Sequence, residues 1–156
     1  RNLQDEGEVQ LYDKSTGVGG RMATRSKKDH YFDHGAQFFT ARTRQFKEFL
    51  WPLISGDQVA RWEPRLLGFS ESGTSHKRYW FEEHYVGLPK MTSLCKQLAK
   101  DLNVNLSMTV EEVEPVGNKN YLHFSNTQNP LAFDWVIAAM PAAQILALYP
   151  KLMKLK

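Results

Sequence analysis

An acid, a glycine-rich turn and an arginine follow one another between positions 9 and 22, in the sequence VQLYDKSTGVGGRM. Val9 and Leu11 alternate with polar residues, which predicts a strand that ends at Asp13. An acid at the end of such a strand accepts hydrogen bonds from ribose hydroxyls in dinucleotide-binding proteins. Glycines let the next stretch of backbone approach a ligand closely, and Arg21 offers a planar charged fork to phosphate oxygens. Together these residues indicate a nucleotide cofactor.

One part of the dinucleotide-binding fingerprint is missing from this stretch. The full fingerprint places a GxGxxG loop after the first strand and the acid about 20 residues later. Counting back that far from Asp13 passes the first residue, and the glycines at 17–20 follow the acid instead of preceding it. We therefore expect the sequence to lack its opening β-α unit. From residue types alone, a strand, a turn and a surface arginine of any α/β protein are an equal alternative.

Length and composition favour one globular domain. The chain has 156 residues, of which 42% are hydrophobic and 12% aromatic, which argues against disorder. No apolar run approaches the ~20 residues of a membrane span, so no membrane partner is predicted. A single cysteine, Cys95, suits a reducing compartment, and we predict a cytoplasmic protein. The net charge of +3 is diluted by 17 acids without a recognisable binding module, so nucleic acid is not a predicted partner.

The other polar residues do not suggest a catalytic site built from side chains. The five histidines show no HExxH pattern and no Cys/His ligand spacing, so no metal site is predicted. The sequence has no GxSxG elbow and no SxxK motif, and its lone cysteine has no evident base. If the protein is an enzyme, its chemistry would belong to a cofactor that the residues bind and orient.

Hydrophobic periodicity predicts the elements that position these residues. Helices are expected over 43–53 and over 91–102, with Thr92 as a candidate cap of the second. The apolar run 133–140 predicts a buried parallel strand, and the charged segment 23–29 is expected to be a solvated connection. The other predicted strands are 9–13, 58–69, 77–86, 104–110, and 112–116 with 121–124 as a hairpin.

Four longer blocks give a more specific comparison. They are LYDKSTGVGGRMATR at 11–25, FDHGAQFFTAR at 32–42, YVGLPKMTSL at 85–94 and DWVIAAMPAAQILAL at 134–148. In this order and with these intervals they resemble the renalase family of FAD-dependent oxidoreductases, which is related to the flavin amine oxidases. The resemblance covers nearly the whole chain, and its first two blocks are the specific ones. Thr16 stands where the family usually has a basic residue.

The resemblance implies an α/β fold, in part α+β: a partial FAD/NAD(P)-binding Rossmann-like unit with an inserted antiparallel substrate-domain segment. It implies FAD-binding parts at 1–57 and 91–156 and a substrate-domain segment at 58–90. The family's late flavin-binding segment has no counterpart in the sequence. The cofactor-binding residues implied by the resemblance are Asp13, Lys14, Gly19, Gly20, Arg21, Met22, Gly35, Ala36, Gln37, Phe38, Val110 and Ala139.

The activity implied by the resemblance is hydride transfer to FAD, followed by passage of the electrons to oxygen. The small-molecule substrate would be an NAD(P)H isomer, as in the renalase family, or an amine, as in the wider amine oxidases. No catalytic acid or base is identified. Candidates to line an aromatic-substrate pocket are Trp62, Tyr79, Trp80 and Phe81, with core packing as an equal alternative.

Two other functional classes remain open at this point. The first is a non-catalytic fragment that binds FAD weakly or not at all. The second is an unrelated α+β binding module without flavin. In a truncated parallel sheet an unpaired edge would be exposed, which would allow dimerisation through that edge.

Overall fold

Short strands and three helices make up the computed structural model, which describes residues 3–78 and 81–149. The architecture is mixed α/β, with several small sheets. The helices are α1 (Arg44–Ser55), α2 (Met91–Ala99) and α3 (Ala142–Leu148). The strands are β1 (Gln10–Asp13), β2 (Thr24–Lys27), β3 (His30–Asp33), β4 (Phe39–Thr40), β5 (Val59–Trp62), β6 (Leu66–Phe69), β7 (Ser75–Arg78), β8 (His84–Gly87), β9 (Asn103–Leu106), β10 (Val110–Val116), β11 (Lys119–Phe124) and β12 (Leu131–Phe133).

The chain divides into two compact units, which we call the split unit, residues 1–17 with 101–156, and the continuous unit, residues 18–100. The predicted division is of another kind, because it separates FAD-binding parts at 1–57 and 91–156 from a substrate-domain segment at 58–90. It concerns the ligand that each part binds, and it stays a prediction.

In the split unit, a parallel pair of strands accompanies a three-stranded antiparallel sheet. Strands β1 and β9 are parallel, with Asp13 opposite Leu106. Strands β10, β11 and β12 follow one another in the antiparallel sheet, and Gly117 takes a φ of +61° in the turn between β10 and β11. The buried core of this unit comprises Val113, Leu122 and Phe124. The predicted strand over 9–13 and the predicted hairpin are therefore confirmed.

The apolar segment after β12 corrects one prediction. A buried parallel strand is expected over 133–140, but β12 ends at Phe133 and pairs antiparallel with β11. Residues 134–140 belong to none of the sheets in the described part of the chain, and Trp135 and Ile137 are 88% and 74% exposed. An apolar run becomes a buried strand only where neighbouring strands and a covering layer are available, and composition alone does not supply them.

In the continuous unit, α1 packs against a small antiparallel sheet. The helix begins at Thr43, whose Oγ1 accepts a hydrogen bond from Phe46 N at 3.2 Å. Strand β8 lies in the middle of the sheet, between β4 and β5. The buried core cluster is Ala41, Leu50, Val59, Tyr85 and Leu94. The helices predicted from periodicity over 43–53 and 91–102 are thus confirmed as α1 and α2, the second of them shorter than expected.

The charged segment before α1 is a β-hairpin, which corrects the prediction of a solvated connection over 23–29. Strands β2 and β3 pair from Thr24 opposite Asp33 to Lys27 opposite His30. Lys28 takes a φ of +54° in the turn between them. Most side chains of the two strands are exposed. Because neither face is buried, the hairpin lacks the alternation of apolar and polar residues by which a strand is recognised in a sequence.

The packing of α1 gives a first prediction. Leu50 is 1% exposed, so Leu50→Ala leaves a cavity and should lower the free energy of unfolding by about 2–5 kcal/mol. Denaturant unfolding followed by circular dichroism measures the loss. The control is Leu67→Ala, at a side chain that is 61% exposed, which should change the value by less than about 0.5 kcal/mol. Equal losses in the two variants would contradict the assignment of Leu50 to the core.

Candidate functional site

The glycine-rich segment folds into a tight turn at the start of the continuous unit. We call residues 19–22 the glycine turn. Gly19 and Gly20 take φ values of +131° and +49°, which residues with a side chain rarely adopt. One turn of 3-10 helix follows, in which Met22 N donates to Gly19 O at 2.8 Å. The turn predicted before Arg21 is confirmed, and the Arg21 side chain is exposed.

The second block of predicted cofactor residues, 35–38, packs directly on the glycine turn. Ala36 N donates to Arg21 O at 2.7 Å. A Cβ atom on Gly35 would lie only 2.0 Å from the same oxygen, so this approach requires glycine. The absence of a side chain at position 35 thus makes room for the Arg21 carbonyl. The structure brings residues 19–22 and 35–38 together.

Phe38, the last residue of this block, contacts two other aromatic rings. Its centroid lies 4.7 Å from that of His84, edge to face, and 5.7 Å from that of Trp62. His84 is buried, and its Nδ1 lies 2.7 Å from the Glu82 carbonyl oxygen. These contacts connect the segment at 35–38 with β5 and β8. Trp62, a candidate for the substrate pocket, therefore lies beside a predicted cofactor residue.

The other three aromatic pocket candidates are Tyr79, Trp80 and Phe81. Tyr79 and Trp80 lie outside the described residues. Phe81 is 97% exposed at the edge of an open cavity of about 350 Å³. The residues that line this cavity are Thr40, Ala41, Arg42, Lys47, Phe81, Glu82 and Glu83.

Charged side chains at the cavity are paired with one another. Arg42 donates to the Glu82 carboxylate through Nε at 2.8 Å and Nη2 at 3.0 Å, which lowers the pKa of Glu82. Glu83 accepts from Tyr85 Oη at 3.0 Å and from Lys47 Nζ at 3.2 Å. The hydrogen bond from Tyr85, followed by that from Lys47, lowers the pKa of Glu83. Both carboxylates are therefore held ionised, and their contacts link α1 to β8 and its preceding loop.

A hydrogen-bond network beside the glycine turn was not anticipated from the sequence. Thr24 N donates to Thr92 Oγ1 at 2.6 Å, and Thr92 N donates to Thr24 Oγ1 at 3.1 Å. Thr24 Oγ1 donates to Asp33, whose carboxylate also accepts from Met91 N at 3.3 Å. Thr92 was expected to cap α2, but the N-cap position is Lys90, without a side-chain cap bond. No sequence pattern connects Thr24 with Thr92, which lie 68 positions apart.

Cys95 lies on the side of α2 that contacts the glycine turn. Its Sγ is 3.8 Å from Met22 Sδ and 4.0 Å from Gly19 O. Burial raises the pKa of the thiol, so little thiolate is present at neutral pH. The residue acts here as a small packing group.

Four of the predicted cofactor residues belong to the split unit. Asp13 ends β1 as predicted, and its Oδ1 accepts a local hydrogen bond from Ser15 N at 2.8 Å. Lys14 is exposed. Val110 begins β10 and packs against the core of the split unit, whereas Ala139 is exposed in the segment after β12. The cofactor roles of these residues stay predictions.

Two further features are absent from residues 3–78 and 81–149. No group of three or more His, Cys, Asp or Glu residues there is arranged to hold a metal ion. No helix in these ranges combines the length and the apolar content needed to cross a membrane. Every buried side-chain nitrogen or oxygen of these ranges has a hydrogen-bond partner.

The N-terminal region is similar to one known family of domains. Residues 2–51 match the family model of the NAD(P)-binding Rossmann-like domain, which is common in flavin amine oxidase-like enzymes. The matched stretch contains Asp13, the glycine turn and residues 35–38. This match indicates a dinucleotide-binding function of the oxidoreductase type.

The close approach at Gly35 gives a second prediction. Gly35→Ala would force a Cβ against the Arg21 carbonyl and should lower the free energy of unfolding by about 1–3 kcal/mol. Denaturant unfolding followed by tryptophan fluorescence provides the measurement. Gly17→Ala is the matched control, because a Cβ there meets nothing within 4 Å and the change should be neutral. A Gly35→Ala variant as stable as the parent would show that the two segments separate easily.

The pairing of Glu83 gives a third prediction, on the pH dependence of stability. A lowered carboxyl pKa stabilises the fold above the usual value of 4.5, and this contribution is lost as pH falls through the lowered value. Glu83→Gln should therefore lower the denaturation midpoint at pH 7, and the difference from the parent should narrow below pH 4.5. The control is Glu71→Gln, in the exposed β6–β7 turn. A constant difference across this pH range would contradict the pairing.

Proposed function

We propose that the chain forms part of an FAD-dependent oxidoreductase that takes a hydride from a reduced small molecule and passes the electrons to oxygen. The observation that carries the proposal is the contact between the glycine turn and residues 35–36, inside the stretch that matches a dinucleotide-binding domain. The resemblance to the renalase family supports FAD as the dinucleotide and an NAD(P)H isomer as the hydride donor. An amine is the alternative donor, from the wider family of amine oxidases.

The residues of the glycine turn fit a bound dinucleotide. A Cβ atom built on Gly20 meets nothing within 4 Å, so there is open space beside the backbone at this position. Arg21, next to it, carries an exposed guanidinium that can form two parallel hydrogen bonds with phosphate oxygens. Gln37, also exposed, offers both a donor and an acceptor to the polar edge of a ring.

In this proposal FAD supplies the redox chemistry, and the chain binds and orients it. In the split unit, considered by itself, Asp13 would accept hydrogen bonds from ribose hydroxyls. Arg21 would balance the charge of a phosphate. Phe38, held by its contacts with His84 and Trp62, would limit the space available to a bound ring. Hydride transfer needs no general base, which agrees with the lack of a candidate base in the sequence.

Ligand binding by the purified chain tests the proposal. FAD, NAD⁺ and NADP⁺ are each titrated into the millimolar range, and saturation is followed by ligand-detected NMR. We expect saturable binding of FAD, with ADP as a competitor. A chain that binds none of the three dinucleotides would refute a dinucleotide function. Binding of FAD without its reduction by dihydronicotinamide isomers and amines would retain the cofactor and refute the proposed substrates.

The role of Arg21 gives a fourth prediction. Arg21→Gln removes a charge-assisted contact with phosphate and should weaken FAD binding by about tenfold. The loss should shrink at high ionic strength, because salt screens this exposed charge. Arg25→Gln, on the exposed part of β2, removes the same charge and is expected to change the affinity less than about twofold. Equal losses in the two variants would mean that only net charge matters.

A further inference from the structure

Each backbone carbonyl of the glycine turn has a hydrogen-bond donor within reach. Three of the donors are backbone N–H groups: Met22 N for Gly19, Ala23 N for Gly20 and Ala36 N for Arg21. The fourth carbonyl, that of Met22, lies 3.2 Å from the hydroxyl of a single side chain, Thr92 Oγ1. The carbonyl of Met22 therefore depends for its donor on a residue of α2, which lies beyond the stretch that matches the dinucleotide-binding domain.

Thr92 contacts both ends of the turn. Its Cγ2 lies 3.6 Å from the position that a Cβ on Gly19 would occupy, at the beginning of the turn. Its hydroxyl accepts from Thr24 N at 2.6 Å and can donate to Met22 O or to Thr24 Oγ1, which lies 3.0 Å away. The two acceptors lie at the last residue of the turn and two residues beyond it. Either hydrogen bond therefore holds the backbone where the chain leaves the turn.

Thr92 is too deeply buried to touch a dinucleotide itself, since only 8% of the residue is exposed. Any effect on a ligand must therefore pass through the turn. Without the hydroxyl, Thr24 N loses its partner and the turn loses its support from α2, so the backbone that carries Arg21 can adopt other conformations. Binding must then order the turn again, and this cost appears as a loss of affinity.

We infer that Thr92 is a positioning residue, which holds the glycine turn in the conformation that binds the phosphate-bearing dinucleotide. The inference rests on the proposed function and assigns a role in it to α2.

The experiment compares three variants of the chain with the parent. Thr92→Val keeps the shape of the side chain and removes the hydroxyl, and we expect FAD to bind about tenfold more weakly. Thr92→Ser keeps the hydroxyl and should bind within about twofold of the parent. Thr74→Val is the matched control: its hydroxyl lies 2.6 Å from Ser70 Oγ in the β6–β7 turn, away from the glycine turn, and affinity should not change.

A second pair of measurements distinguishes positioning from a general loss of stability. In an Arg21→Gln background, Thr92→Val should cost a smaller factor in affinity, because the turn no longer presents its phosphate-binding side chain. Unfolding midpoints are recorded for every variant, and affinities are measured well below them. An equal loss with and without Arg21 would overturn the inference, because it would assign the effect to the fold as a whole.

The remaining outcomes are also decisive. A folded Thr92→Val variant that binds FAD as the parent does would overturn the inference and leave the proposed function in place. If that variant does not fold, Thr92→Ser decides: a folded Thr92→Ser protein with tenfold weaker binding contradicts a role for the hydroxyl. A parent chain that binds no dinucleotide refutes the proposed function first, and the inference with it.

Discussion

The hydrogen bond from Ala36 N to the Arg21 carbonyl is the contact on which the candidate site of the continuous unit depends. It forms only because position 35 has no side chain, since a Cβ there would collide with the same carbonyl. The bond joins a turn that carries an exposed arginine to a segment that ends in the aromatic contacts of Phe38. Glycine at position 35 therefore allows two stretches that are separate in the sequence, 19–22 and 35–38, to pack against each other.

Local patterns predicted the elements whose determinants are local. Helix α1 was predicted from its apolar spacing, and the glycine turn was predicted from its composition. The contacts that hold the turn were not predictable, because Thr24 and Thr92 meet only when β2 and α2 pack together. The segment 134–140 shows the opposite error: its composition suits a buried strand, but its partners are not specified by its own residues.

The lowered pKa values of two carboxylates have structural causes. Glu82 and Glu83 have lowered values because Arg42, Tyr85 and Lys47 donate hydrogen bonds to them at the surface of the continuous unit. Such pairs perturb ionisation without a catalytic role. Support for the proposed function therefore comes from the glycine turn and from the match of residues 2–51 to a dinucleotide-binding domain. A site whose polar groups bind and orient a ligand suits chemistry that a cofactor supplies.

Cys95 gives this protein a built-in reporter. It is the sole cysteine of the chain, and its sulfur lies against Gly19 and Met22. The half-buried thiol becomes more accessible to a maleimide when α2 and the turn move apart, so changes in the alkylation rate report on that separation. Fluorophores or spin labels can be attached there without first removing competing thiols. The separation of the turn from α2 can therefore be followed kinetically without changing the sequence.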